Sequence, residues 1–249
     1  MILLKTCKQI DNIRKSCAIV AYVLNELHNN IKPGITTLSL NNIAEELCLQ
    51  KKGIPAFKGY KGFPFSVCAS RNEEIVHGFP NELLLKDGDI LSIDFGVLYK
   101  GWYGDAAFTT CVGTTTTEAI ELIETTRLCL YDGIKAAVVG NRLGDIGYAI
   151  QSRAENNNYN VVREFVGHGI GKNLHEDPQV LNYGSAGVGY ALKAGMVIAI
   201  EPMLTVGSAD TEVLSDGWTT ITKDRKLSAH WEHTVVITEN GPEILTIQN

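Results

Sequence analysis

The chain has 249 residues and a net charge of -6, and 45% of its residues are apolar while 20% are charged. This composition is ordinary for a globular protein and excludes a disordered chain, and the length fits one compact domain, 1–249. The negative charge argues against a general affinity for nucleic acid, because phosphates are neutralised by an excess of lysine and arginine.

The start of the chain, MILLK, has too short an apolar run for a signal peptide. No later stretch resembles a membrane span. The six cysteines are scattered without a CxxC pair, so we interpret them as reduced thiols rather than a disulfide framework. These features predict a cytoplasmic protein without a membrane partner.

Helical apolar patterns occur as two pairs. Residues 10–29 form the first predicted helix, Pro33 and Gly34 interrupt the pattern, and a second helix is predicted over about 39–51. Residues 117–139 and 144–156 repeat this plan in the second half. Strands are predicted for the remaining segments, which gives an α+β chain.

Two ten-residue segments resemble each other. Residues 85–94 read LKDGDILSID and residues 192–201 read LKAGMVIAIE, so that Asp94 aligns with Glu201. We interpret this as an internal repeat, about residues 10–112 and 117–249, with two halves related by a pseudo-twofold axis and helices covering one sheet face. The alternative is a common turn-and-strand pattern that recurs by chance. A true repeat would place Asp94 and Glu201 at the ends of equivalent strands and bring them close to the axis.

Acids stand inside strands that otherwise read as buried. Asp94 interrupts one such strand and Asp105 the next. If the hairpin turn centres on Tyr99 and Lys100, the two acids face one another on the same side of the sheet. Facing carboxylates repel unless a cation lies between them or one is protonated.

The second half repeats this pattern with Glu201 and Glu232, and it adds His168 between glycines. One buried acid could be salt-bridged, but four argue for bound metal. Carboxylates with one imidazole suit Mn, Fe(II), Co or Zn. Four acids exceed the needs of one ion, so we predict two divalent ions about 3.5 to 4 Å apart and metal-assisted hydrolysis.

Together with His77 and His175, these residues form an ordered set that closely resembles that of type I methionine aminopeptidases of the pita-bread fold. The resemblance runs through GYKGFPFSVCASRNEEIVHGFP, IDFGVLYKGWYGDAA, GHGIGKNLHEDP, IEPM and DGWTTITKDRKLSAHWEH. It implies two pseudo-symmetric halves with helices covering a central antiparallel sheet. The ligands that it implies, with Asp94 and Glu232 bridging the ions, are Asp94, Asp105, His168, Glu201 and Glu232.

The resemblance also implies a reaction. The first methionine of nascent proteins would be removed by a metal-activated hydroxide, with small second residues favoured. Glu201 would be the general base and acid, His175 would stabilise the tetrahedral species, and His77 would contact the leaving amide. The implied substrate-binding residues are Phe57, Tyr60, Phe63, Cys68, His77, Leu174, His175 and Trp218. Phe57 and Leu174 depart from the common family residues, cysteine and an aromatic, but keep the pocket apolar.

Four relatives of this fold are alternatives. Prolidases and aminopeptidase P share the five ligands but typically carry an extra N-terminal domain, and type II methionine aminopeptidases carry an insertion in the second half. A binding protein on a catalytically dead pita-bread fold usually loses ligands, which are all present here. The predicted partners are nascent polypeptide N-termini. The family default is a monomer, and contact with the ribosome would suit such a substrate although no motif indicates it.

Overall fold

The helices form the two predicted pairs. The computed structural model describes residues 2–247, so Met1, Gln248 and Asn249 of the predicted domain lie outside the described residues. The helices are α1 (Cys7–Asn30), α2 (Thr37–Gln50), α3 (Thr117–Ala136) and α4 (Leu143–Asn156). All four predicted helices are confirmed, with ends that differ by at most three residues from those predicted.

Threonines set the starts of three helices. The Thr6 hydroxyl accepts from the backbone N–H of Gln9 in a capping box, and the hydroxyls of Thr36 and Thr116 accept from the third residue of α2 and of α3 without one. The Thr6 cap explains why α1 begins before its apolar pattern does. Within residues 2–247, no helix is both long enough and apolar enough to cross a bilayer.

Strands of two to ten residues lie between α2 and α3 and after α4. They are β1 (Ile54–Pro55), β2 (Cys68–Arg71), β3 (Glu74–Val76), β4 (Ile90–Tyr99), β5 (Trp102–Cys111), β6 (Asn160–Val161), β7 (Gly167–Gly169), β8 (Glu176–Val180), β9 (Val197–Ile200), β10 (Met203–Thr205), β11 (Thr211–Val213), β12 (Thr220–Thr222), β13 (Ser228–His230), β14 (Glu232–Thr238) and β15 (Gly241–Ile244). A short 3-10 turn covers Tyr60–Gly62.

An antiparallel sheet forms the centre of the molecule. Its main path runs β1-β4-β5-β14-β9-β7-β8, with β2 also paired to β4 and β15 to β14. Alternate residues of β4, such as Leu91, Ile93 and Phe95, pack into a core with α1 and α2. Ile198 and Ile200 of β9 pack with α3 and α4 in the same way. The neighbours of these residues along the strands therefore point away from the helices.

The hairpin between β4 and β5 differs from its prediction in register. Tyr99 pairs with Trp102, so the turn centres on Lys100 and Gly101, and Asp94 lies opposite Ala107 rather than Asp105. A positive φ at both central residues suits the tight type I′ hairpin turn. The prediction that Asp94 directly faces Asp105 is therefore wrong. Since the register moves by two residues, both acids still share one face, as diagonal neighbours.

Threonine side chains extend the short ladder between β5 and β14, which has only two residue pairs, Glu232 with Ala107 and His233 with Ala106. Thr234 exchanges hydrogen bonds with the backbone of Asp105 at 2.7 and 3.2 Å, and Thr109 does so with the backbone of His230 at 2.8 and 2.9 Å. These bonds fix the two strands that carry Asp105 and Glu232. Outward from the β5–β14 pair, each half of the sheet continues with one neighbour, β4 on one side and β9 on the other, followed by further strands. This arrangement suits the internal repeat. The repeat itself stays a prediction.

Asp94 lies within β4 rather than at its end, whereas Glu201 follows directly after β9. The prediction that the two acids end equivalent strands is therefore wrong for Asp94. Its strand runs on because the hairpin with β5 stays paired as far as Tyr99.

Candidate metal centre and substrate pocket

A cavity of about 190 Å³ opens beside the sheet strands that carry the acids. It brings together every site residue that the sequence predicts, and it adds Lys61. Its lining consists of Phe57, Tyr60, Lys61, Phe63, Cys68, His77, Asp94, Asp105, His168, Leu174, His175, Glu201, Trp218 and Glu232. The acids and His168 lie at one end of the set, and aromatic and apolar side chains form the rest together with Lys61, His77 and His175.

The acid end can bind a cation. Ligand atoms of Asp105, His168 and Glu232 lie within 4.8 Å of one another, and all three residues are buried. One carboxylate oxygen each of Asp94, Asp105 and Glu232 is buried without any hydrogen-bond partner. Buried carboxylate oxygens without donors are costly, so this end of the cavity is built for a positively charged ligand.

The electrostatics of the acids support the same conclusion. Burial raises the pKa of Asp94 to about 7. Burial, reinforced by the other acids, raises the pKa of Asp105, Glu201 and Glu232 well above the usual range. A protein without a cation here can relieve the repulsion only by protonating carboxyl groups. Divalent ions would remove that need.

His168 is oriented for coordination through one nitrogen. Its Nδ1 lies 2.9 Å from the carbonyl oxygen of Gly169, to which it donates, and its Nε2 lies 3.6 Å from a Glu201 oxygen. Burial lowers the pKa of His168 to about 4, so the ring is neutral and Nε2 carries a lone pair. A side chain at Gly169 would collide with the Asp177 carbonyl, which confirms that glycines beside His168 permit close backbone packing.

Aromatic rings form the apolar end. Phe63 is 3% exposed and makes edge contacts with Phe65, Phe79 and Trp218, with centroids 5.2 to 6.3 Å apart. Phe57, Cys68 and Leu174 are also buried in this cluster. The rings of this wall pack against one another, so their packing does not depend on a bound ligand.

Two further histidines flank the acids. The His77 ring packs edge-on against Phe165 and Trp218, and burial lowers the pKa of His77 to about 4. The His175 ring lies 4.3 Å from that of His168, and its Nδ1 is 2.8 Å from the Tyr60 hydroxyl. If Tyr60 donates to Nδ1, the Nε2–H of His175 remains available to donate to a ligand.

Comparison with known proteins identifies the family. A model described as metallopeptidase family M24 matches residues 11–239. The chain belongs to this metallopeptidase family. It is 51% identical to a methionine aminopeptidase of Clostridium perfringens over 247 residues, 99% of each chain. A solved methionine aminopeptidase of Thermotoga maritima is 46% identical with a TM-score of 0.98, over 100% of both chains. These matches place the chain with the methionine aminopeptidases of M24, as predicted.

More distant solved structures share the fold alone. A solved prolidase of Pyrococcus furiosus is 24% identical with a TM-score of 0.81, and the match covers 99% of this chain and 66% of that one. The predicted α+β pita-bread fold is confirmed. Membership of a metallopeptidase family also implies divalent metal ions.

Sequence reasoning missed two residues of this M24 site. Lys61 lines the cavity from a left-handed backbone position, with φ of 49°, and its place between Tyr60 and Gly62 gave no chemical signal. His230 is 2% exposed, its Nε2 has no hydrogen-bond partner, and that atom lies 3.9 Å from a Glu201 oxygen. Its position two residues before Glu232 could have revealed it.

Proposed function

We propose that the chain removes the N-terminal methionine from nascent polypeptides by metal-assisted hydrolysis of the first peptide bond. The observation that carries this proposal is the joining of two environments in one cavity: partnerless buried carboxylate oxygens at one end and a packed aromatic wall at the other. The acid end suits hydrolytic metals, and the apolar end suits a thioether side chain. High identity to methionine aminopeptidases supports the same activity.

The proposed ligands are Asp94, Asp105, His168, Glu201 and Glu232. Four carboxylates are more than one divalent ion needs, so these five residues would hold a pair of ions, with Asp94 and Glu232 shared between them as the family resemblance implies. An oxygen-rich set with one imidazole suits Mn, Fe(II), Co or Zn. Mutual repulsion among Asp94, Asp105 and Glu232, which burial strengthens, gives this set its affinity for cations.

In the proposed mechanism, divalent ions held by these residues would supply Lewis-acid activation of the scissile carbonyl and of a water molecule. The Glu201 carboxylate takes a proton from that water as the water oxygen bonds to the scissile carbonyl carbon, and it passes the proton to the amide nitrogen as the C–N bond breaks. The His175 Nε2–H donates to the oxygen on which negative charge develops, with Tyr60 holding the ring through Nδ1. His77 hydrogen-bonds the departing amide nitrogen.

The proposed substrate pocket is formed by Phe57, Tyr60, Phe63, Cys68, His77, Leu174, His175 and Trp218. Aromatic edges pack well against a polarizable methionine sulfur. Because the whole cavity measures about 190 Å³, it leaves little room beyond the first side chain, which supports a preference for a small second residue. A monomer acting on nascent chains in the cytoplasm, at or near the ribosome, stays the prediction for the setting of this reaction.

The test compares three peptides, Met-Ala-Ser, Ala-Ala-Ser and Ala-Pro-Ser. Metal-free enzyme is assayed before and after addition of Mn or Co, and the bound metal per chain is measured by inductively coupled plasma mass spectrometry. We expect cleavage of Met-Ala-Ser and of neither other peptide, and only after metal is added. At saturation we expect two metal ions bound per chain. Cleavage confined to Ala-Pro-Ser would replace the proposal with a proline-directed peptidase, and metal binding without any cleavage would indicate a dead fold.

A further inference from the structure

A buried ion pair outside the cavity lies directly behind the segment that carries Leu174 and His175. We call residues 170–176 the His175 loop. The Lys5 ammonium nitrogen lies 2.6 Å from an oxygen of Glu176, the last residue of this loop, and the two side chains are only 6% and 8% exposed. Lys5 comes from the segment before α1, so the pair joins the start of the described chain to the site.

Glu176 organises the loop from within. Its second oxygen accepts hydrogen bonds from the backbone N–H groups of Lys172 and Asn173 at 2.7 and 3.0 Å. One carboxylate therefore closes the turn and binds Lys5 at the same time. Because it is buried, its charge needs the lysine as a counterion.

The pair also packs tightly against the turn. A side chain at Gly171 would come within 2.6 Å of the Lys5 Cε and 2.9 Å of a Glu176 oxygen. On its other side, the Gly171 carbonyl accepts from the backbone N–H of Tyr103 in β5, at 2.9 Å. The loop is thus clamped between β5 and the Lys5 side chain.

Lys5 is itself anchored to the sheet. Its backbone N–H donates to the Gly195 carbonyl at 2.7 Å, and the Gly195 N–H donates to the carbonyl of Ile237 in β14 at 2.9 Å. The ammonium also donates to the Leu3 carbonyl at 3.2 Å. The ion pair therefore connects the loop to the strand that carries Glu232 rather than to a loose end of the chain.

We propose that Lys5 and Glu176 are positioning residues for the reaction, which hold the His175 loop so that Leu174 closes the methionine pocket and His175 meets the scissile carbonyl. This inference rests on the role proposed above for His175. That residue adjoins Glu176, is exposed, and is held on the cavity side by Tyr60. The ion pair supplies the second fixed point that an exposed side chain needs for a defined orientation.

The test pairs kinetics with a spectrum. In Lys5→Met we expect kcat/KM for Met-Ala-Ser to fall about 10- to 100-fold, mainly through kcat. Residues that orient a catalytic side chain without touching the substrate typically contribute this much to activity. Lys5→Arg, which keeps the charge, should recover part of the loss. Lys8→Met removes an exposed lysine three residues further on and should leave kcat unchanged.

The spectrum separates positioning from a general structural role. The chain has six histidines, so each imidazole can be followed by NMR with zinc as a diamagnetic ion. We expect the His175 signals to move or broaden in Lys5→Met while those of His28 and His233 stay in place. This readout does not need turnover, so it remains informative even if wild-type enzyme cleaves none of the peptides.

Two outcomes would overturn the proposal. One is a folded Lys5→Met enzyme with unchanged kcat and unchanged His175 signals. The other is a uniform shift of all histidines with an activity loss that only follows the unfolded fraction. If Lys5→Met does not fold, Lys5→Met/Glu176→Gln removes the unpaired buried charge, and the same movement of His175 is expected in it.

Discussion

The two ends of the cavity are stabilised in opposite ways. At the apolar end, Phe63 is held by Phe65, Phe79 and Trp218, so the wall is complete without a ligand. At the acid end, Asp105 and Glu232 are buried with oxygens that nothing in the described chain satisfies. The first end contributes to folding, whereas the second opposes folding until a cation binds. Substitutions at the two ends should therefore separate stability from activity.

Glu201→Gln should give the largest effect on activity. The amide cannot accept the proton of the attacking water, so kcat for Met-Ala-Ser should fall about 10²- to 10⁴-fold. The free energy of unfolding of the metal-free protein should not decrease, because a buried acid is replaced by a neutral group of the same shape. Steady-state kinetics and urea titration check both statements. The exposed Glu212→Gln is the control, and near-normal kcat in Glu201→Gln would show that the acid end is not the reaction centre.

Phe63→Ala should behave in the opposite way. Removing a ring that is 3% exposed should lower the free energy of unfolding by about 3 kcal/mol, through lost burial and a cavity. Urea titration measures this, and the partly exposed Phe65→Ala should lose less. Equal stability of Phe63→Ala and wild type would mean that the aromatic wall does not support the fold.

Glu74 provides a reference acid outside the cavity. Burial raises its pKa to about 7 from an ordinary value of 4.5. The folded state therefore binds the Glu74 proton more tightly than the unfolded state does. The stability that the protonated Glu74 contributes is complete below about pH 4.5 and is lost as pH rises through 7. Glu74→Gln stays neutral and can still accept from the Arg71 N–H. Relative to wild type it should gain about 1 to 3 kcal/mol between pH 5 and pH 8.

Urea titrations of the metal-loaded protein across this pH range measure the gain. The neighbouring Glu73→Gln is the matched control for the loss of a carboxylate in the same segment. If Glu74→Gln follows wild type at every pH, Glu74 is not the source of any pH-dependent stability.

Trp218→Ala should show the smallest effect. The indole lies partly exposed at the cavity, in edge contact with Phe63 and His77, so its loss should weaken methionine binding more than folding. We expect kcat/KM for Met-Ala-Ser to fall about 10-fold, mainly through KM, with the free energy of unfolding changed by less than about 1 kcal/mol. A fall confined to kcat would place Trp218 in the chemistry instead of the pocket.

The sequence predicts the helix pairs and the composition of the cavity because both leave local signals. Apolar periodicity marks the helices, and Asp94 or Glu232 is recognisable because an acid inside an apolar strand needs a reason. The predicted β4–β5 register is wrong because the register depends on which two residues form the turn. Lys100 and Gly101 form it, with positive φ at both, and the apolar pattern of the strands does not distinguish this pair from Tyr99 and Lys100. Lys5 and Glu176 are far apart in the chain, so nothing local predicts their ion pair.

The small volume of the cavity has a consequence for timing. A space of about 190 Å³ bounded by a rigid sheet can receive the end of an extended chain but not an end already paired in a sheet or docked on a helix. Removal of the first residue therefore competes with the folding of the substrate. Proteins whose first residues fold quickly should escape processing more often than those whose N-termini stay free, whatever their second residue.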